Sequence, residues 1–133
     1  MEKMAKILII DDDPDFVEAA KAILESKSYT VVAAYDKNEG MEKINSEKPD
    51  LILLDIMMKK IDDGFTLCYK LKHDPELKKI PVLAISAITE ETGLKFSSET
   101  DGEYFEADDY VEKPVKADDL LERIEKLLKK QKF

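Results

Sequence analysis

Four short apolar runs in this chain each end in a side chain that phosphoryl-transfer chemistry can use. Ile7-Leu8-Ile9-Ile10 leads into Asp11-Asp12, and Leu51-Ile52-Leu53-Leu54 leads into Asp55. Val82-Leu83-Ala84-Ile85 leads into Ser86, and Tyr110-Val111-Glu112 leads into Lys113-Pro114. A carboxylate such as Asp55 is a weak nucleophile, so it needs a cation to hold the incoming phosphoryl oxygens and offset their charge. Clustered carboxylates repel each other unless a cation neutralises them, and an all-oxygen octahedral site suits Mg²⁺. Asp11 and Asp12 would supply that site, with Asp55 opposite. A lysine adds a compact positive charge suited to phosphate.

These residues work together only if the four runs are parallel strands ending at one edge of a sheet, where ligands bind in open α/β folds. The pattern predicts strands over Lys6–Ile10, Thr30–Tyr35, Asp50–Leu54, Val82–Ser86 and Asp109–Glu112. Three of them are continuously apolar, as expected of strands covered on both faces. Between them the spacing predicts helices over Asp15–Ser26, Asn38–Ser46 and Phe65–His73, an irregular helical region over Glu91–Glu99, and a last helix over Asp118–Lys130. The first carries Phe16, Ala19, Ala20, Ile23 and Leu24 as an apolar stripe behind Pro14. The second opens on a capping-box pattern, Asp36 then Glu39. The last repeats Leu120, Leu121, Ile124, Leu127 and Leu128 and ends in basic residues, which suits the helix dipole. Alternating strands and helices imply a five-stranded parallel sheet flanked by helices on both faces.

A third acid, Asp13, follows the pair at once. The pair that directly follows the apolar run is Asp11 and Asp12, which leaves Asp13 to cap the first helix ahead of Pro14. Cys68 sits at helical spacing from Phe65 and Leu71 and reads as a small core hydrophobe. His73 suits a helix C-terminus better than a metal site, because no second histidine accompanies it. Thr100-Asp101-Gly102-Glu103 is a turn signal and lacks the spaced oxygens of a calcium loop.

The whole chain narrows the function classes. At 133 residues it fits one domain able to bury roughly 70% of its unfolded surface. Its 30 acidic against 21 basic residues argue against direct DNA binding, which phosphate neutralisation drives. No run approaches the ~18 apolar residues of a membrane span, and the opening residues lack a signal-peptide core. A single cysteine cannot form an internal disulfide. The expectation is a cytoplasmic protein with no membrane association and no output domain over residues 1–133.

Taken in order at four strand ends, these motifs resemble the receiver domain of response regulators in two-component signalling. The resemblance runs from Lys6 to about Lys130 and implies a flavodoxin-like, doubly wound sheet of order 2-1-3-4-5. It implies a stand-alone receiver in a phosphorelay. Asp55 would accept a phosphoryl group from a sensor histidine kinase or phosphotransfer protein, with Mg²⁺ held by Asp11, Asp12, Asp55 and the main-chain carbonyl of Met57. Lys113 would pair with the phosphoryl group or with Asp55, and Pro114 would be the family's cis proline. Ser86 would hydrogen-bond a phosphoryl oxygen beside the small Ala87. Tyr110 matches the family's aromatic switch position, and equally suits a half-buried strand tyrosine. Such a protein is no enzyme beyond its own phosphorylation and dephosphorylation, and it signals to a downstream protein that the sequence does not name.

The chain departs from the family pattern in two places. After Met58 the usual proline is missing, Lys59-Lys60-Ile61-Asp62-Asp63 follows, and Gly64 comes one residue late. The stretch from Ser86 to Lys113 is longer than usual, and residues Lys95–Glu106 hold Phe96, Tyr104 and Phe105. Those aromatics either set partner choice or cover the sheet edge. The positions that tune acyl-phosphate lifetime in the family are Met57 and Ile88 here, both apolar, which implies slow self-dephosphorylation.

Other readings fit less well. A haloacid-dehalogenase type hydrolase needs a second aspartate where Met57 stands. A flavin or nucleotide carrier needs a phosphate cradle where Asp11-Asp12-Asp13 would repel phosphate. A receiver-like scaffold that works without phosphorylation is the alternative the altered loop leaves open.

Overall fold

The computed structural model describes residues 5–55, 61–86, 107–113 and 115–131, with side chains at 5–55, 67–85, 107–113 and 115–129. The expected helix over Glu91–Glu99, most of the lengthened segment, Met57, Lys59, Lys60, Pro114 and the Ser86 side chain lie outside them.

The elements run β1 Lys6–Ile10, α1 Pro14–Glu25, β2 Thr30–Ala34, α2 Lys37–Glu47, β3 Leu51–Asp55 and α3 Ile61–Lys72. A 3₁₀ turn Leu77–Lys79, β4 Val82–Ser86, β5 Asp109–Glu112 and α4 Ala117–Gln131 follow. All paired strands are parallel, in the order β2-β1-β3-β4-β5. The sheet is the flavodoxin-like arrangement expected. Because side chains alternate along a strand, the two faces separate cleanly. Leu8, Ile10, Ile52, Leu54, Val82 and Ala84 pack with Ile44 of α2 and Leu67, Cys68 and Leu71 of α3. Ile7, Ile9, Leu51, Leu53, Leu83 and Ile85 pack with Val17, Ala20 and Leu24 of α1 and Leu120, Ile124 and Leu127 of α4. Cys68 is buried in the first set, as its spacing suggested.

The boundaries differ from expectation where side chains take over backbone hydrogen bonds. β2 stops at Ala34, since the Tyr35 N–H donates to Glu39 Oε1 at 2.7 Å and its ring is exposed. Asp50 precedes β3; its carboxylate accepts the Lys6 N–H at 2.7 Å, and Asp55 becomes the strand's last residue. α2 begins at Lys37 because Asp36 is its N-cap, accepting the Glu39 N–H at 2.7 Å, and it ends where Lys48 turns left-handed at φ 47°. α3 starts at Ile61, a turn before the expected Phe65, so Ile61 to Gly64 are helical rather than loop. On α1 the buried residues are Val17, Ala20 and Leu24, whereas Phe16 and Ile23 are half-buried at its margin.

An ion pair unforeseen in the sequence ties the opposite edge together. Lys72 Nζ lies 2.6 Å from Asp108 Oδ2 and donates to the Ile80 carbonyl at 3.0 Å. The same Asp108 oxygen accepts the Val82 N–H at 2.7 Å, so one carboxylate joins the end of α3 to the starts of β4 and β5.

Gly40 faces Ile10 closely. A Cβ there would stand 2.9 Å from Ile10 Cδ1, and Ile10 is fully buried directly before the first acid pair. Gly40→Val is therefore expected to lower stability by about 1–3 kcal/mol in urea unfolding. An unchanged midpoint would show that Ile10 yields freely.

Candidate functional site

The strand order places the acids. The order reverses between β1 and β3, so the chain leaves these neighbouring strands toward opposite faces and opens a crevice at their C-terminal ends. Ile10 pairs with Leu54, which puts the following residues, Asp11 and Asp55, side by side across that crevice. Asp55 pairs with Ile85, and Ser86 with Glu112, which brings the ends of β4 and β5 to the same edge.

One carboxylate oxygen from each of Asp11, Asp12 and Asp55 lies within 4.8 Å of the others. Asp11 is fully buried and Asp55 is 3% exposed, while Asp12 is half-buried. Asp11 is fixed by its neighbours, since Oδ1 accepts the Asp13 N–H at 2.9 Å. Asp13 in turn caps α1, accepting the Asp15 N–H at 3.0 Å, with Pro14 at the first helical position. The two acids most easily confused in the sequence thus have separate duties.

Lys113 reaches back from the end of β5 into this cluster. Its ammonium lies 3.0 Å from Asp11 Oδ2 and 3.7 Å from Asp55 Oδ2, with the side chain 19% exposed. It pairs with Asp55, as expected, but more closely with Asp11. Burial pushes its pKa down, and Asp55, Asp11 and Asp13 outweigh that, so the ammonium is held protonated above its ordinary range. The contact to Asp11 Oδ2 is a short ion pair. That buried oxygen accepts no hydrogen bond among the described residues. Three convergent carboxylates, two of them buried, are the donor set a hard divalent cation takes.

Tyr110 is half-buried on β5, packed against the cluster on the α2 and α3 face. Its backbone is held on both sides: its N–H donates to Asp109 Oδ1 at 2.8 Å and its carbonyl accepts from Arg123 at 3.1 Å. Ser86 closes β4 at the right edge. The sequence missed one neighbour of the site: the Lys113 ammonium lies 4.5 Å from the centre of the Phe16 ring.

Comparison with known proteins agrees with this geometry. The family model described as "Response regulator receiver domain" matches residues 7–125. The DNA-binding dual master transcriptional regulator RpaA of Synechocystis is 37% identical over 127 residues, covering 96% of this chain and 50% of its own. Protein PilH of Pseudomonas aeruginosa is 34% identical over 94% of this chain and 98% of its own. The chain spans about half the length of RpaA and of several other curated relatives, including PhoP of Bacillus subtilis. A receiver domain protein (CheY-like) from Methanospirillum hungatei superposes with a TM-score of 0.82 at 29% identity, over 98% of both chains. The matched span reaches across all five strands from Ile7 onward and both sides of the crevice, and the chain belongs to the response regulator receiver domains of two-component signalling.

Proposed function

We propose that this chain accepts a phosphoryl group on Asp55, from the phosphohistidine of a sensor histidine kinase or phosphotransfer protein, and then presents an altered surface to a downstream protein. The observation that carries this reading is the convergence of the Asp11, Asp12 and Asp55 oxygens within 4.8 Å, with the Lys113 ammonium beside them. Asp11, Asp12 and Asp55 would hold Mg²⁺, with the Met57 carbonyl as a further ligand, and the ion would offset the charge of the approaching phosphoryl oxygens. A carboxylate oxygen of Asp55 attacks phosphorus as the P–N bond breaks, the bonding pair returns to the imidazole, and an acyl phosphate remains. Lys113 then turns from the carboxylates to the phosphoryl oxygens, the Ser86 hydroxyl donates a hydrogen bond to one of them, and Tyr110 carries the change to the surface. The chain catalyses nothing beyond forming and losing this phosphate.

The acidic balance of 30 against 21 supports a protein partner over DNA for this domain. Among the described residues no helix is long and apolar enough to cross a membrane, which agrees with a cytoplasmic role. Intact mass after incubation with acetyl phosphate and Mg²⁺ tests the proposal. The wild type gains one phosphoryl group, Asp55→Asn gains none, and peptide mapping places the label on Asp55. Label on Asp11, Asp12 or Asp62 overturns the assignment, and no label from any donor favours a scaffold that works without phosphorylation.

Lifetime gives a further expectation. Met57 and Ile88 are apolar and cannot orient an attacking water, so the acyl phosphate should decay slowly, and Ile88→Asn should speed the decay severalfold. Timing the loss of label checks this, and equal decay in the two proteins would refute it.

A further inference from the structure

The two carboxylates hold Lys113 unequally. At 3.0 Å from Asp11 and 3.7 Å from Asp55, the ammonium stands nearer Asp11 than the nucleophile. Lys113 also borders a cavity. It measures about 490 Å³ and is lined by Phe16, Ile23, Lys113, Val115 and Leu120, and also by the carboxylate-bearing Asp13 and Asp15. An ammonium that swung into this cavity would meet water and two more acids, all of them competing with the site.

Phe16 lines the same cavity and also meets the ammonium. It is the third residue of α1, placed there by the Asp13 cap and Pro14, and it packs at the margin of the core cluster of Val17, Ala20 and Leu120. Its ring centre is 4.5 Å from the Lys113 ammonium. The face of a phenyl ring attracts a cation, yet it can neither take the lysine's proton nor bind a metal ion in competition with the carboxylates. It therefore adds a third point of hold without adding charge.

We propose that Phe16 is a positioning residue for Lys113. Its ring keeps the ammonium between Asp11 and Asp55 and out of the neighbouring cavity, so that Lys113 meets the phosphoryl group as it arrives. The inference rests on the reading that Asp55 receives phosphate. It assigns Phe16 no contact with the phosphoryl group.

Two measurements on the intact chain test it. In proton–carbon NMR, the Lys113 ε-methylene protons, identified by their loss in Lys113→Met, should be shifted upfield by the ring. They should stay so in Phe16→Tyr and return to the ordinary lysine position in Phe16→Leu. In phosphorylation by acetyl phosphate at saturating Mg²⁺, Phe16→Leu should lower the maximal rate about three- to tenfold, with the half-saturating donor concentration unchanged. Phe16→Tyr should keep the wild-type rate, and Phe16→Leu should cost nothing further in a Lys113→Met background. Phe16→Met serves as the ring-free variant if Phe16→Leu does not fold. A wild type that takes no phosphate overturns the functional reading and this inference with it. A wild type labelled on Asp55 overturns this inference alone if the ε-methylene shift survives loss of the ring, if the rate is unchanged, or if the loss persists without Lys113.

Discussion

Asp12→Ala is expected to slow phosphorylation of Asp55 by about 10²–10³-fold at limiting Mg²⁺, with much of the loss recovered as Mg²⁺ is raised. Asp12 is the half-buried member of the three-carboxylate cluster, and Asp11 and Asp55 are the enclosed ones. Removing Asp12 leaves the nucleophile, Lys113 and the fold's buried groups in place, and takes away one of three negative oxygens that would hold the ion. The deficit should therefore act through metal affinity, shifting the Mg²⁺ dependence rather than abolishing transfer. Initial rates of acetyl phosphate labelling across a Mg²⁺ series measure it. Undiminished labelling at limiting Mg²⁺ would remove Asp12 from the metal site and with it the charge argument for Asp55.

The site was legible because strand ends are the most constrained points of a parallel sheet. Three continuous apolar runs and the shorter run before Lys113 fix where each strand stops, and the next residue has little choice of direction; Asp11, Asp55 and Lys113 meet for that reason. Helix boundaries were less legible where they depend on side chains bonding to backbone. The Glu39 carboxylate that takes the Tyr35 N–H ends β2 one residue early, and no periodicity announces that. Ile61-Asp62-Asp63-Gly64 reads as a turn because of its acids and glycine, yet it forms the first turn of α3. On α1, Val17 was missed as a core residue because the larger Phe16 beside it drew the stripe around by one position. Phe16 lies over Lys113 instead, a contact between α1 and the residue after β5 that no local pattern announces. Likewise Lys72 and Asp108 are 36 residues apart, too far for local patterning to join them.

The largest stability effect should come from Lys113→Met in the metal-free protein, a loss of about 2–4 kcal/mol. Asp11 and Asp55 are buried carboxylates with this ammonium within 3.0 and 3.7 Å, and a methionine of similar length takes that positive charge away from both. The estimate sits toward the low end for a broken buried pair because the Lys113 side chain is 19% exposed and partly screened. The pH dependence has a definite sign. Folding holds the Lys113 pKa above its ordinary 10.5, so its contribution is complete below that pH and is lost as pH rises through the raised value. The gap between wild type and variant should therefore be constant from neutral pH to about pH 10 and close above it. A bound divalent cation supplies the missing charge, so Mg²⁺ should stabilise Lys113→Met more than the wild type. Urea unfolding with and without Mg²⁺, at pH 7 and in the alkaline range, reads all three effects. If the two metal-free proteins unfold at the same midpoint, Lys113 is not the counter-ion of these acids, and its place at the site would rest on phosphate alone.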